Sequence, residues 1–259
     1  MSHVIPEDST LQLRPDIEPA LQERVKESKK MTTTKRSASN ALGDPTQSLE
    51  KFTLRDLEQF TLEKAFSNNA SADVHLFYVG RDDVHNILKY VLSRVSVSLY
   101  LNMFGYDDPE LNDILMTKAM DPNVTMLVTL DKSQAGGKTE NALVAADQAK
   151  GLAAFNTHFV IGESQTHQIS HTKGFVADGK VAGEGSTNWS ISGEGEFVIA
   201  GKPGGAGFKA QNNTQSIITD PDTVSRFTAE LINEHMIAQG KAVTTNLKTA
   251  TSLKMPLKK

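Results

Sequence analysis

Apolar and polar residues alternate with two different periods in the part of the chain that follows residue 72. Val74, Leu76 and Tyr78 alternate with their neighbours, which is the period-two pattern of a β-strand, and this strand ends at Gly80. The next segment carries a stripe of apolar residues at helical spacing across residues 84–95. The change of period predicts a strand followed by an amphipathic helix.

The same alternation continues through the first half of this region. Apolar runs predict strands, and segments that open with capping residues or carry a helical pattern predict helices. In chain order these are a strand at 96–106, a helix at 107–120, a strand at 123–131, a helix at 139–155 and a strand at 157–162. The β-α-β-α-β-α-β order implies an α/β fold with a mixed, mainly parallel sheet flanked by helices on both faces.

The second half of the region has a different rhythm. Two short strand-like runs, at 170–179 and 180–188, are separated by Asp178-Gly179, which is a hairpin signal. A last strand is predicted at 214–220, and Pro221 then begins a final helix. The folded domain is therefore expected to span residues 72–241.

Polar segments are predicted on either side of this domain. Residues 1–50 contain few large apolar side chains and are expected to form a disordered polar extension. Residues 51–71 have a loose helical pattern and predict a linker helix. Residues 242–259 contain lysines and no acidic residue, which predicts a basic tail suited to phosphate backbones or acidic lipid surfaces, or simply solvated.

Composition excludes several kinds of chemistry and leaves the compartment open. The chain has no cysteine, so disulfides, thiolate metal sites and a cysteine nucleophile are excluded. Residues 71–240 carry 12 basic against 20 acidic residues, which argues against a domain that grips long nucleic acid by charge alone. No signal peptide or transmembrane segment is recognisable, so a cytoplasmic protein is expected, with leaderless export left open.

One segment of the second half carries residues suited to phosphate chemistry. His171 and Lys173 are two apart on a predicted strand and would share a face. The hairpin returns the next strand alongside, so that Asn188 can reach the same place. An imidazole that attacks phosphorus, together with an ammonium and a carboxamide that donate to its oxygens, would form a phosphodiester-cleaving site.

The motif H-x-K-x-x-x-x-D followed by G-S-x-N resembles that of the phospholipase D superfamily, and more of the chain shares the likeness. The segment FGYDDPELNDILM, the strand that ends at Asp131 and the closing strand before Asp220-Pro221 are similar to single-motif members of that family. The resemblance covers about residues 72–240. It implies a phospholipase D-like fold for the domain.

The resemblance also implies roles for individual residues. His171 would be the nucleophile of a phosphohistidine intermediate, and Lys173 and Asn188 would bind the phosphate. Ser186 would add a hydrogen bond, and Asp178 corresponds to the motif aspartate, with a role expected to be more structural than chemical. No metal and no cofactor are expected, because ammonium and amide donors take the place of a cation.

The count of motifs implies an assembly. The mechanism needs two histidines, one to attack and one to protonate the leaving oxygen, but the chain has one H-x-K motif and no internal repeat. Single-motif members of the family form twofold dimers, so a homodimer with a shared site is expected. The leading function is a nuclease acting on DNA or RNA. A phospholipase or cardiolipin hydrolase, and a non-catalytic phosphate-binding module, are the alternatives.

One position departs from the family pattern. An acidic residue is expected after the G-S-x-N turn, where it would orient the histidine, but Gln215 occupies the matching position. Glu194 and Glu196 lie closer to Asn188 in sequence and are alternative candidates for this role. The sequence leaves the choice among the three open.

Overall fold

We describe the protein from a computed structural model, which covers residues 48–131, 157–162, 169–195 and 209–252 in describable detail, with only the backbone for 157–162 and 241–252. These residues belong to a compact unit that spans Leu42–Lys259. Among the described helices, none combines the length and apolar character needed to cross a membrane.

Seven strands of the described chain form one mixed sheet. In chain order they are β1 (Val74–Tyr78), β2 (Ser98–Met103), β3 (Thr125–Asp131), β4 (Thr157–Gly162), β5 (Lys173–Ala177), β6 (Val181–Gly185) and β7 (Thr214–Ile218). Their order across the sheet is β1-β7-β6-β5-β2-β3-β4. The pairs β2–β3 and β3–β4 are parallel, and the pairs from β2 through β5, β6 and β7 to β1 are antiparallel. Five strands thus run in one direction, and β5 and β7 run in the other.

Helices connect and cover these strands. Four α-helices are described: α1 (Val84–Ser93), α2 (Pro109–Ala119), α3 (Ile191–Glu194) and α4 (Pro221–Ser252). Asp83 and Asp108 cap α1 and α2 by accepting a backbone N–H three residues further on, and Pro109 follows the second cap. These boundaries agree with the helices predicted from the apolar stripe at 84–95 and from the capping residues that open 107–120.

The sheet buries apolar side chains on both faces, which confirms the predicted α/β class with a mixed sheet between helices, although only two of its six strand pairs are parallel. On one face α1 and α2 pack over Phe77, Leu101, Phe175 and other strand residues in the larger core cluster. On the opposite face α4 packs with Val224 and Leu231 over Val176 and Ala182. Gly174 makes this second contact close, because a methyl group there would overlap the ring of Phe227.

The segment predicted as a linker helix is part of the domain instead. Residues 49–60 form two 3-10 helices, Leu49–Lys51 and Leu54–Phe60, and their apolar side chains belong to the core cluster. Leu54, Leu57 and Phe60 recur every three residues, which is the period of a 3-10 helix rather than an α-helix. The domain therefore begins well before residue 72. At the other end α4 continues through the first part of the predicted basic tail, to Ser252. The helix predicted at 139–155 lies outside the described residues.

Candidate active site

All of the predicted motif residues except Asp178 lie at one end of the sheet, where β2 and β6 end and β5 begins. Lys173 begins β5 and pairs with Met103, the last residue of β2. On the other side of β5, strand β6 ends at Gly185, which pairs with Gln215 of β7. The loops that follow β2 and β6 therefore meet beside the start of β5, at what we call the site end of the sheet.

Phe104 brings His171 and Lys173 together at this end. The ring centroids of Phe104 and His171 are 4.6 Å apart, and Lys173 Nζ lies 4.8 Å from the centroid of the same ring, over its face. Lys173 Nζ also donates to the backbone carbonyl of His171, at 2.8 Å. The His171 side chain is exposed, whereas Lys173 retains 3% exposure. The arrangement presents an accessible imidazole beside a buried ammonium.

Burial changes the electrostatics of Lys173. Loss of hydration lowers the pKa of Lys173 below its ordinary value, and the carboxylates of Glu184 and Asp131 oppose that shift in part. The π face of Phe104 and the His171 carbonyl stabilise the charged form locally. A poorly hydrated ammonium has more to gain from an incoming phosphate than one that is fully exposed to water.

The segment before His171 is fixed by buried polar groups. Ser170 N donates to Asp131 at the end of β3, at 2.7 Å, and Ser170 Oγ donates to Asn102 Oδ1, at 3.2 Å. Both acceptors are nearly inaccessible to solvent. Because Ser170 precedes His171 directly, these bonds set where the imidazole enters the site.

Asn188 reaches the same end from the loop after β6. Its side-chain oxygen accepts from Gly105 N, at 3.2 Å, in the residue that follows Phe104. Trp189 N donates to Gly105 O, at 2.9 Å, so the two loops bind each other in both directions. Since its oxygen is engaged, the carboxamide of Asn188 is oriented with its NH2 group left to donate to a ligand.

Gly105 has no side chain, and this leaves room for the Asn188 carboxamide in its observed orientation. A Cβ at position 105 would lie 2.9 Å from Asn188 Cγ and 3.1 Å from Asn188 Oδ1. We expect Gly105→Ala to displace the carboxamide and to lower kcat/KM for the phosphodiester cleavage that the sequence predicts about tenfold, at a cost in stability of only about 1 kcal/mol. The matched control is Gly240→Ala, where an added Cβ meets nothing within 4 Å. Unchanged kinetics in Gly105→Ala would show that the position of Asn188 does not matter.

Ser186 serves the local structure of the G-S-x-N turn. Its hydroxyl donates to Asn213 Oδ1, at 3.2 Å, and accepts from Thr214 N, at 3.0 Å, while Thr187 Oγ1 donates to Thr214 O. A methyl group at Gly185 would overlap the Thr214 carbonyl. These contacts fasten the turn to the start of β7. The additional hydrogen bond from Ser186 to a substrate remains a prediction.

Asp178 lies at the opposite end of β5 from Lys173, in the turn between β5 and β6. Its carboxylate accepts from the backbone N–H groups of Ser96, Val97 and Ser98, and from Ser96 Oγ, at 2.8–3.1 Å. It adopts a left-handed conformation, with φ of 53°. These contacts hold the backbone of residues 96–98, and they place Asp178 at the end of β5 away from Lys173, although the motif had grouped the two residues.

The three candidates for orienting His171 differ in their surroundings: Glu194 and Gln215 have different partners, and Glu196 is not described. Glu194 is buried and accepts a hydrogen bond from His85 Nδ1, a partner that the sequence did not suggest. Gln215 is fully buried, its Nε2 donates to Ser216 O, and its Oε1 has no hydrogen-bond partner within the described part of the chain. Glu196 lies outside the described residues. The orienting role therefore stays a prediction for all three.

His85, Asp108 and Glu194 form a buried cluster that sequence reasoning missed. Each retains no more than 2% exposure, and their ligand-type atoms lie within 4.8 Å of one another. Despite an opposing desolvation effect, hydrogen bonds to Glu110 and Glu194 and the charge of Asp108 raise the pKa of His85 to about 10. The hydrogen bond from His85 in turn lowers the pKa of Glu110 to about 2, assisted by Lys89.

The donor set of this cluster fits an ion-pair group better than a metal centre. Nδ1 of His85 faces Glu194 and Asp108, and Nε2 faces Glu110 at 3.5 Å. With a carboxylate at each ring nitrogen, both nitrogens donate as an imidazolium and neither keeps a lone pair for a metal. The only sequence signal for the cluster is a histidine in the first turn of α1, at a position on its buried face.

Comparisons with known proteins address the fold. No family model matches this chain, and no curated protein matches it in sequence. The chain is similar to the solved structure of NucT from Helicobacter pylori, with 15% identity and a TM-score of 0.50 over 64% of this chain and 96% of that one. It also aligns with a phospholipase D family member, Nuc from Salmonella typhimurium, with 14% identity and a TM-score of 0.49 over 64% and 95% of the two chains. The chain has the fold of NucT, in agreement with the phospholipase D-like fold that its sequence predicted.

Proposed function

We propose that this protein is a metal-independent phosphodiesterase that hydrolyses DNA or RNA through a phosphohistidine at His171. The observation that carries the proposal is the convergence on Phe104-Gly105: an exposed imidazole and a buried ammonium contact Phe104, and the carboxamide of Asn188 is fixed by Gly105. This combines a nucleophile with two donors for phosphate oxygens.

The reaction balances with these side chains. A ring nitrogen of His171 attacks phosphorus, forming an N–P bond as the P–O bond to the leaving group breaks. The leaving oxygen takes a proton from a second imidazole. Water then attacks phosphorus, its proton passes to that second imidazole, and the N–P bond breaks. Lys173 and Asn188 donate to the non-bridging oxygens throughout, where negative charge accumulates in the transition state.

The need for a second imidazole supports a homodimer. Within the side chains that are described, the other three histidines are engaged elsewhere: His75 stacks on Phe66, His85 binds Glu194, and His235 contacts Thr129 Oγ1. An exposed His171 can meet the same residue of a second copy across a twofold axis. The proposed site is therefore shared by two chains.

A mixing experiment tests the shared site. Native protein and His171→Ala are unfolded together in equal amounts and refolded, so that subunits pair at random. If cleavage needs both imidazoles, only native–native dimers act, and the mixture has about a quarter of the activity of an all-native sample. If each chain acts alone, about half remains. A value near one half would contradict the shared site, and sedimentation of each sample verifies that dimers form.

Substrate and mechanism are tested on the native protein. Single-stranded DNA, duplex DNA, RNA and phospholipid vesicles are incubated with it in the presence of a chelator, and products are identified. Cleavage of a nucleic acid with a phosphorylated His171 peptide in acid-free mass spectrometry is the expected result. Loss of cleavage on chelation would refute metal independence, and selective release of lipid headgroups would favour a phospholipase instead.

One observation favours an alternative function, that of a non-catalytic phosphate-binding module. Gln215 stands where an acid would orient the histidine, and its described side-chain donor is bound to its own strand, at Ser216 O. A site without that acid can bind phosphate yet attack it poorly. This rival predicts saturable nucleic-acid binding with neither turnover nor a labelled histidine in the same experiment.

A further inference from the structure

Five ionisable side chains form a charged group beside the loops of the site, and we call it the buried ion cluster after its three buried members, His85, Asp108 and Glu194. Lys89 pairs with Glu110, which lies 3.5 Å from His85 Nε2, and His85 Nδ1 in turn faces Asp108, at 3.4 Å, and Glu194. The members come from α1, from the start of α2 and from the end of α3. Burying such charges costs free energy of desolvation, and they seldom make a protein more stable than an apolar core would. Their presence therefore indicates a role other than stability.

The cluster is connected directly to both loops that hold Asn188. Asp108 N and Asp107 N donate to Trp189 O, at 3.1 and 2.8 Å, which places Asp108 against the residue that follows Asn188. From the other side, Glu194 N donates to Ser190 O, at 2.9 Å. A methyl group at Gly193, next to Glu194, would overlap the Asn188 carbonyl. Two carboxylates of the cluster are therefore tied by their own backbones to the loop of Asn188.

We propose that His85, Asp108 and Glu194 are positioning residues, and that the charge of His85 locks the Gly105 loop to the Asn188 loop. Asp108 belongs to the first loop and Glu194 to the second, and the imidazolium lies between the two carboxylates. Removing its proton leaves two buried carboxylates with no cation between them, which is relieved when the loops separate. The effect on catalysis rests on the proposed function, whereas the effect on loop structure does not.

This lock, the contact between the Gly105 loop and the Asn188 loop that depends on the charge of His85, is expected to open at alkaline pH. The pKa of His85 is raised from its ordinary value of 6.5 to about 10 in the folded state. A raised pKa means that the protonated imidazole contributes stability fully below about pH 6.5, and that this contribution is lost as pH rises towards about 10. Three carboxylates face His85 directly: Glu194 of α3, Asp108, which caps α2, and Glu110 in the first turn of α2. Lys89 of α1 is linked to His85 only through Glu110.

Trp189 reports this opening directly. It is the one tryptophan of the chain, it is fully buried, and it follows Asn188 in the locked loop. The measurement is the accessibility of Trp189 to acrylamide between pH 6 and pH 11. It is made on the native protein, on Glu194→Gln and on Glu230→Gln, which also removes one carboxylate but from an exposed position on α4.

Glu194→Gln is expected to lower the pH midpoint for Trp189 exposure by at least about one unit, because one of the carboxylates that raise the pKa of His85 is gone. Glu230→Gln is expected to keep the native midpoint. Comparing variants is essential because tyrosines also lose protons near pH 10. Identical midpoints in all three proteins would overturn the proposal. So would a midpoint that rises when Zn²⁺ is added to chelator-treated native protein, since a metal would then hold the cluster.

Kinetics separate positioning from general stability. With bis(p-nitrophenyl) phosphate at neutral pH, Glu194→Gln is expected to lower kcat about tenfold or more with KM changed less than about threefold, because Asn188 is misplaced in the transition state. The pH at which kcat falls on the alkaline side should shift to a lower value, together with the pH midpoint for Trp189 exposure. Burial also lowers the pKa of Lys173, so the proposal depends on the shift between variants rather than on the fall of kcat in the native protein alone.

The experiment still tests the proposal if Glu194→Gln does not fold or if the native protein is inactive. If Glu194→Gln does not fold, Glu110→Gln replaces it, because Glu110 is 45% exposed and its loss should shift the same midpoint by less. If the native protein cleaves nothing, the proposed function fails while the Trp189 titration still decides whether the lock exists. If the native protein is active and the Trp189 midpoint does not move, the lock fails and the proposed function stands.

Discussion

Replacing His171 with alanine is expected to lower phosphodiester cleavage at least about a thousandfold while leaving the fold intact. The proposed N–P bond cannot form without the imidazole, and no other described group at the site end offers a comparable nucleophile. The side chain is exposed, so its removal creates no buried cavity, and the melting temperature should change by less than about 2 °C. Turnover of labelled DNA or RNA and thermal unfolding measure the two effects.

Chemical rescue supplies the control for this prediction. Free imidazole can occupy the space left in His171→Ala beside Phe104 and restore part of the turnover, because the ammonium and carboxamide donors are still in place. Rescue by imidazole, but not by a cyclic amine of similar size, would identify the missing group chemically. More than about a tenth of native activity in the variant without imidazole would refute a His171 nucleophile.

Asp178→Ala is expected to have the largest effect on stability among the motif residues. It removes the acceptor of three consecutive backbone N–H groups, at Ser96, Val97 and Ser98, and places alanine at a φ of 53°. We expect the free energy of unfolding to fall by about 2–3 kcal/mol, since part of this backbone is open to water. Denaturant unfolding followed by circular dichroism measures the loss.

Asp178→Asn is the matched variant. Asparagine tolerates the left-handed conformation and keeps one acceptor oxygen, so it should lose less than half of the stability that alanine loses. Both variants should retain kcat within about twofold when assayed well below their melting temperatures. A hundredfold lower kcat in a folded Asp178→Asn protein would instead give the aspartate a part in the chemistry.

The grouping of His171, Lys173 and Asn188 could be predicted from sequence because it depends on local geometry. His171 and Lys173 are two residues apart at the start of a strand, and a hairpin returns the chain, so elementary strand geometry brings Asn188 nearby. The contact with Phe104 was not predicted, because it depends on the register between β2 and β5, where Met103 pairs with Lys173. Register between strands distant in sequence has no local signal beyond the apolar pattern.

The buried ion cluster was missed for a related reason. A histidine on a helix and a glutamate after the G-S-x-N turn look like ordinary polar residues until tertiary packing brings His85 and Glu194 together, 109 positions apart in sequence. Glu194 was instead considered a partner of His171, because it is close to Asn188 along the chain. The 3-10 helix at Leu54–Phe60 is different, since its three-residue apolar spacing is present in the sequence and predicted a helix, but not the type of helix.

The pairing of β1 with β7 has a consequence for how the protein is made. Val74 lies opposite Ile218, so the first strand of the sheet waits for a strand synthesised 144 residues later. Until that segment leaves the ribosome, the G-S-x-N turn also lacks Thr214, to which it is fastened. Closing so long a loop is slow compared with forming local contacts. A nascent chain can therefore build the parallel half of its sheet, β2 to β4, first, whereas the turn that carries Asn188 is fastened only after residues 214–218 have been synthesised.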